Sequence, residues 1–364
     1  MSDPVLFPEA LDQDTRMGTP ASGAKEKELV TFDYRSGDET PQWGRELIEA
    51  QLAIDAEDAA QAGQLGFMAR AMVIATMPHK DPKVQTFYRK NGDFSLRMTA
   101  GAGGGLPFGI YPRLLMSWVT TEAVRRRSPT IVIDESMGWF IKNVLGVNTS
   151  TGGRSGSLTR ITEQMKRLFG AMITAEYELA EKRYALQNVV LANSLTIDKR
   201  ELTRAWNAAD LALTSSDGSL EHALWTPQRA DDAGKWYSCI DLSQRFYDEI
   251  IERPVPIDLR AYKALRKSPL AMDVYTWLTF RMSYTMRRTR PIRWEGLQWQ
   301  MGSGYPFTEQ GTRDFKKSFL KALKAAHTVY PEAHFEIADQ GLVLLPSSTS
   351  VKPKRLSAKQ QVLF

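Results

Sequence analysis

Glu309-Gln-Gly-Thr-Arg-Asp-Phe-Lys-Lys-Ser-Phe-Leu-Lys-Ala-Leu-Lys-Ala-Ala-His-Thr-Val329 is the stretch that decides how this chain reads. On a helix advancing about 100° per residue, Phe315, Phe319, Ala322, Leu323 and Ala326 share one face, and Arg313, Lys317, Lys321 and Lys324 lie on the other. One side can rest on a core while the other presents cations. A cationic helix face is by itself most often solvated surface. Its neighbours give this one meaning. A short helix is expected at 294–300, a turn carries Gly302, Gly304 and Pro306, and after the long helix His334–Leu345 reads as a hairpin. Helix, turn, helix and hairpin is the order of a winged helix-turn-helix, whose second helix reads the major groove. Thr312, Arg313, Lys316 and Lys317, nearest the amino end, are then expected at base edges or phosphates, with Lys321 and Lys324 along the same face. Arg287, Arg288, Arg290 and Arg293, just upstream, are expected to hold the DNA backbone. Residues 281–327 carry 10 Lys or Arg against 3 Asp or Glu.

Working backwards, residues 257–265 and 269–286 read as helices, the second long and apolar and opening on Pro269, preceded by a strand at 236–242 and a helix at 243–251. A similar rhythm runs earlier in the chain. A helix is expected at 111–127, a strand at 130–133, a helix at 136–145 closed by Gly146, a Gly/Thr/Ser/Arg loop, a helix at 157–169, and strands at 171–179 and 185–197. On the helix at 157–169, Leu158, Ile161, Met165, Leu168 and Phe169 face inward, while Thr159, Arg160, Glu163 and Arg167 face out and Lys166 flanks them. Arg154 and Ser155 in the preceding loop are placed for phosphate contact. Glu163 makes this face less cationic, so dimerisation or a weaker DNA contact fits it equally. Nearer the start, 46–77 has helical spacing, as one helix or as two broken near Gly63, and Asn91-Gly92 between alternating segments signals a hairpin at 84–99. The Gly-rich run 100–109 lacks a Gly-Lys-Ser/Thr and contains Pro107, so it reads as a flexible connector rather than a phosphate loop.

The fold expected is therefore α+β, mainly helical: a disordered acidic arm at 1–44, a winged-helix domain at 45–215, a second at 235–348, and a flexible basic tail at 349–364. The net charge of +5 hides an asymmetry, since residues 1–60 carry 14 Asp or Glu against 5 Lys or Arg. A basic body behind an acidic leader points to a polyanionic partner. Other chemistries are disfavoured. A single cysteine, Cys239, forbids an internal disulfide and fits a reducing cytoplasm, and the four histidines form no metal-binding or nuclease doublet, so no metal or cofactor is expected. Without that doublet a rolling-circle nickase is disfavoured, and no paired carboxylates or nucleophile constellation indicate an enzyme. Apolar runs fall short of the ~18 residues of a membrane span. At the far end, Gln360-Gln-Val-Leu-Phe364 closes a basic tail, and Gln360, Leu363 and Phe364 are similar to the peptide by which replication proteins dock on the sliding clamp.

Several blocks together resemble one family. Leu106-Pro-Phe-Gly-Ile-Tyr-Pro-Arg and on to Val124, Thr151-Gly-Gly-Arg-Ser-Gly-Ser and on to Phe169, Pro254–Thr279, Gln310–Phe319 and Val329–Ala333 are similar to plasmid-encoded RepA-type replication initiators, over about residues 85–346. The resemblance implies binding to repeated sequences (iterons) at a double-stranded plasmid origin and melting of an adjacent A·T-rich segment. It also implies recruitment of the host helicase and initiator, repression of the protein's own gene as a homodimer, and control of plasmid copy number. A transcriptional repressor with the same folds and no replication activity is the alternative. The acidic arm and the Gln360–Phe364 tail lie outside the resemblance.

Overall fold

The computed structural model describes residues 42–91, 94–101, 104–133, 139–147, 157–179, 183–197, 238–252, 254–302 and 304–351. Residues 1–41 of the arm expected at 1–44 and residues 352–364 of the tail expected at 349–364, with Gln360, Leu363 and Phe364, lie outside the described residues, as do Arg154 and Ser155; residues 42–44 belong to a helix, and Val351 is buried.

The described residues open with α1 (Gln42–Ala56). Where helical spacing suggests continuation past Gly63, a strand β1 (Leu65–Met68) intervenes before the short helix α2 (Arg70–Ile74). Its partner is β9 (Val255–Asp258), antiparallel, with Leu65 opposite Asp258 and Met68 opposite Val255. A partner so distant in sequence leaves no trace in local periodicity. The pairing also explains Gly66: a Cβ there would lie 2.4 Å from a methyl of Leu259.

β2 (Thr86–Asn91) and β3 (Phe94–Thr99) form the expected hairpin, Asn91 pairing with Phe94. Next come α3 (Ile110–Arg126), with Pro112 in its first turn, β4 (Thr130–Ile133), and a π-helical turn at Phe140–Val144 where an α-helix was expected. The wider turn, closed by Gly146 at φ +67°, sets the consecutive Phe140 and Ile141 both into the core. α4 (Ser157–Gly170) leads into β5 (Met172–Leu179) and β6 (Arg183–Val190), which extend the first hairpin into a four-stranded antiparallel sheet ordered β2-β3-β5-β6. The strand expected at 185–197 is in fact two. At Leu191 the chain bends out of that sheet, and β7 (Ala192–Thr196) joins another.

That other sheet has the order β4-β8-β7, with β8 (Ser238–Leu242) in the centre. The sequence reading gives β8 to the second module, yet it hydrogen-bonds on both sides to strands of the first, and β9 pairs with β1. Strand pairing therefore crosses the boundary expected between 215 and 235. α5 (Gln244–Glu252) also packs on α3, and one contiguous apolar core runs through both halves.

The helix expected at 257–265 gives up its start to β9, and α6 (Leu259–Ala264) begins one residue after Asp258, whose carboxylate accepts from the Arg260 amide at 2.8 Å. α7 (Pro269–Met282) is capped by Ser268 and is buried on nearly every side, including Met272, Val274, Tyr275, Trp277 and Leu278. Its one buried carboxylate, Asp273, meets Arg113 of α3. Nε and Nη2 of Arg113 each donate to an Asp273 oxygen at 2.7 Å, and the remaining N–H groups reach the carbonyls of Met77, Pro78 and Gly109. All five guanidinium donors are thus used, which is what a fully buried arginine requires.

The chain then adds β10 (Ile292–Arg293), α8 (Trp294–Met301), α9 (Glu309–Val329), β11 (Phe335–Ala338) and β12 (Gly341–Leu344), with strand order β10-β12-β11. No described helix is long and apolar enough to cross a membrane.

Candidate nucleic-acid interface

α9 sits on α7 and α1 through the predicted stripe: Phe315, Phe319, Leu323 and Ala326 are fully buried. Its start is fixed by two local devices. The Thr308 hydroxyl accepts from the Gly311 amide at 3.1 Å, and Gly311 approaches the preceding turn so closely that a Cβ would lie 1.9 Å from the Pro306 carbonyl oxygen.

The angle between α8 and α9 is held by a buried glutamine that the sequence reading passed over. Gln298 Nε2 donates to the Pro306 carbonyl at 3.0 Å, and its Oε1 accepts from the Thr312 hydroxyl at 2.8 Å. Thr312, expected at a base edge, is therefore a half-buried tie between the two helices. Nothing local in the sequence distinguishes Gln298 from a solvated helical glutamine.

A second tie joins α8, on which α9 packs, to the β11–β12 hairpin. The Trp294 indole N–H donates to the Asp339 carbonyl at 2.9 Å in the hairpin turn, and the Lys316 ammonium lies 4.8 Å from the Trp294 ring centroid. Lys316 is thus half-buried, with its charge set beside the hairpin. Gly341 is needed because a Cβ would meet the Ile292 carbonyl oxygen at 1.9 Å.

The upstream arginines lie along this sheet. Thr289 exchanges hydrogen bonds with Leu344, through its amide at 2.9 Å and its hydroxyl at 3.0 Å, so the segment runs beside β12. Arg287, Arg290 and Arg293 are exposed there. Arg288 makes a fork onto Glu336 of β11, at 2.7 and 3.3 Å, which raises its pKa and fixes its direction. On α9, Arg313, Lys317 and Lys321 are exposed and Lys324 is half-buried. Arg313 pairs with Glu309 at 2.9 Å, but with both side chains at least 70% exposed the pair is worth little and yields readily to a phosphate. Thr312 is taken up between the helices, Lys316 is turned onto Trp294 and Lys324 is half-buried, while Arg287, Arg288, Arg290, Arg293, Arg313, Lys317 and Lys321 come to the surface of one helix and the hairpin sheet behind it.

The earlier helix is different. Arg160 and Lys166 of α4 are exposed and Thr159 is half-buried, but Arg167, expected to face out, is turned against the body. Its guanidinium bridges to Glu163 and, at 3.8 Å, to Asp81, and it lies over the Phe108 ring. Gln164 accepts from the Phe108 amide at 2.9 Å. The described part of the Gly-rich run touches α4 at several points: a Cβ at Gly101 would sit 1.7 Å from the Gly170 carbonyl oxygen and one at Gly105 would sit 3.1 Å from the Arg167 guanidinium, whereas Gly104 is exposed with open space around it.

A family model described as plasmid-encoded RepA protein matches residues 106–216 and 207–296, more than half of the chain. The chain belongs to the plasmid-encoded RepA protein family. No curated protein matches it. Among solved structures, the chain is similar to domains 2 and 3 of RctB at 10% identity and TM-score 0.42, over 75% of this chain and 95% of that one. Membership places this RepA-family protein among replication initiators. The matched residues end within α8, so α9 and its hairpin stand on their own geometry.

Proposed function

We propose that this RepA-family chain is a plasmid replication initiator that binds repeated sequences of its double-stranded origin chiefly through α9, with β11–β12 as a wing. The observation that carries this reading is the outward cationic face of α9, Arg313, Lys317 and Lys321, set after α8 and a tight turn and before a hairpin to which Trp294 ties α8. The order α7, β10, α8, α9, β11, β12, with β10 on the free side of β12, is that of a winged helix-turn-helix. Arg287, Arg290 and Arg293 supply phosphate contacts that set position, and the amino-terminal turns of α9 read bases. A second winged-helix module is proposed around α3, α4 and the β5–β6 hairpin, with Arg160 and Lys166 as its exposed cations. Bending of the DNA across two modules lowers the cost of opening an A·T-rich neighbour. The protein needs no catalytic group of its own. The host initiator and helicase supply ATP-driven opening, the sliding clamp is the proposed partner of Gln360, Leu363 and Phe364, and a homodimer represses the protein's gene.

The test is replication in trans: the gene is supplied beside a plasmid that carries the cognate origin and lacks the gene. Maintenance of that plasmid supports the initiator. Failure of replication with intact repression of its own promoter would instead establish the repressor reading. Deleting Val362–Phe364 should abolish clamp capture and leave origin binding unchanged.

A further inference from the structure

A groove of about 680 Å³ opens between α1, the start of α7 and the flank of α9. Its floor is apolar, with Leu47, Pro269, Leu270, Ala322 and Ala325, and its rim carries Lys80, Lys267 and Lys321 against a single carboxylate, Asp81. Both of the paired rim groups are engaged locally, Lys267 with Glu46 at 2.9 Å and Asp81 with Arg167 at 3.8 Å. Lys80 and Lys321 are exposed. The first turn of the 14-residue helix α7 lines the groove, so its positive dipole end faces the cavity. Beneath the His79 wall the buried charges do not cancel. Arg113 and Arg89 stand against Asp273 alone, since burial holds the His79 imidazole neutral with a pKa of about 4. The Arg89 guanidinium lies 4.4 Å from the ring centroid of Phe87, another groove residue, and its buried Nη2 has no hydrogen-bond partner among the described residues. Shape and charge together call for an apolar segment bearing carboxylates.

The chain holds such a segment close by. Asp3-Pro-Val-Leu-Phe-Pro-Glu-Ala-Leu-Asp-Gln-Asp14 places Val5, Leu6, Phe7 and Leu11 among four acids, with no cation before Arg16. Residues 1–41 join the described body at Gln42, and the Glu46–Lys267 bridge puts that junction at the groove's rim. Residues 15–41 tether the segment to α1, and a tether of that length holds its end at an effective concentration of roughly millimolar. Residues 352–364 carry four cations and no acid, the wrong sign for this site. We propose that residues 3–14 dock in the groove between α1, α7 and α9 of their own chain. Docking covers Lys321 and so competes with DNA on α9; that consequence rests on the DNA-binding reading, whereas the docking itself does not.

The test uses the full chain with p-benzoylphenylalanine in place of Phe7, irradiated in dilute solution and mapped by mass spectrometry. The expected result is an intramolecular cross-link to Leu270, Ala322 or Ala325. It should be lost in a Lys80→Glu, Lys321→Glu variant, both substitutions being at exposed positions, and regained when Asp3, Glu9, Asp12 and Asp14 are also changed to lysine. Cross-links elsewhere, cross-links between copies, or none at all overturn the proposal. Adding origin DNA separates the two readings: loss of the cross-link supports competition, and an undiminished cross-link keeps the docking and overturns the competition.

Discussion

His79 is the group whose titration should be most visible in the stability of this protein. Its ring nitrogen lies 2.8 Å from Asp273, and a carboxylate at that distance ordinarily raises a histidine's pKa. Here burial outweighs it, helped by Arg113 and Arg89, and the pKa falls from 6.5 to about 4. The unfolded imidazole therefore takes up its proton first. Unfolding binds a proton between pH 6.5 and 4, and stability falls as pH falls through that window. At about 1.4 kcal/mol per unit, the shift amounts to about 3 kcal/mol. Asp273, held below the usual carboxylate range chiefly by Arg113 in spite of its burial, loses its contribution only at more acid pH, so the two windows separate. His79→Gln keeps an N–H donor for Asp273 and cannot titrate. Urea unfolding followed by tryptophan fluorescence should show the wild type losing about 3 kcal/mol more than the variant between pH 6.5 and 4. Any slope from His327, whose pKa burial also lowers, is common to both proteins and cancels. Parallel stability curves for the two proteins would refute the burial argument.

Other substitutions probe the interface scaffold. Gln298→Leu leaves the Pro306 carbonyl without its donor and frees Thr312, and should cost about 1–3 kcal/mol in unfolding experiments. Its DNA affinity should fall as well, because the α8–α9 angle is no longer held. Gly311→Ala forces a Cβ against the Pro306 oxygen, and thermal unfolding should report a loss of about 1–3 kcal/mol. Asp273→Ala strands the buried Arg113 cation at a cost of about 3–5 kcal/mol, measured by the same means. Arg167→Ala separates structure from recognition: stability should drop by about 1–3 kcal/mol while origin affinity stays constant, and a selective loss of DNA binding would restore Arg167 to the interface.

The helices and hairpins whose signals are local were legible in the sequence. α9 follows from the Phe315, Phe319, Leu323 spacing, α7 from its long apolar run opening on Pro269, and the first hairpin from alternation around Asn91-Gly92. What escaped depends on partners far along the chain. β1 exists because β9 lies beside it, and β8 enters the first module's sheet because β4 and β7 flank it. The same division runs through the site. The exposure of Lys317 and Lys321 could be read from helical period alone, whereas the inward turns of Arg167 and Thr312 are decided by Asp81 and Gln298 on other elements. Arg113 could not be foreseen as buried, since its counter-charge is supplied from α7.

Equilibrium binding to the cognate origin repeat at a series of salt concentrations, for the wild type, Lys317→Ala and Arg313→Ala, tests the role of α9 most directly. Lys317→Ala should weaken binding to all sequences and reduce the slope of log affinity against log salt by about one. Arg313→Ala should cost about 1–3 kcal/mol on the origin repeat and little on unrelated DNA. Affinity, salt slope and sequence preference unchanged in both variants would contradict the account and remove α9 from the DNA interface.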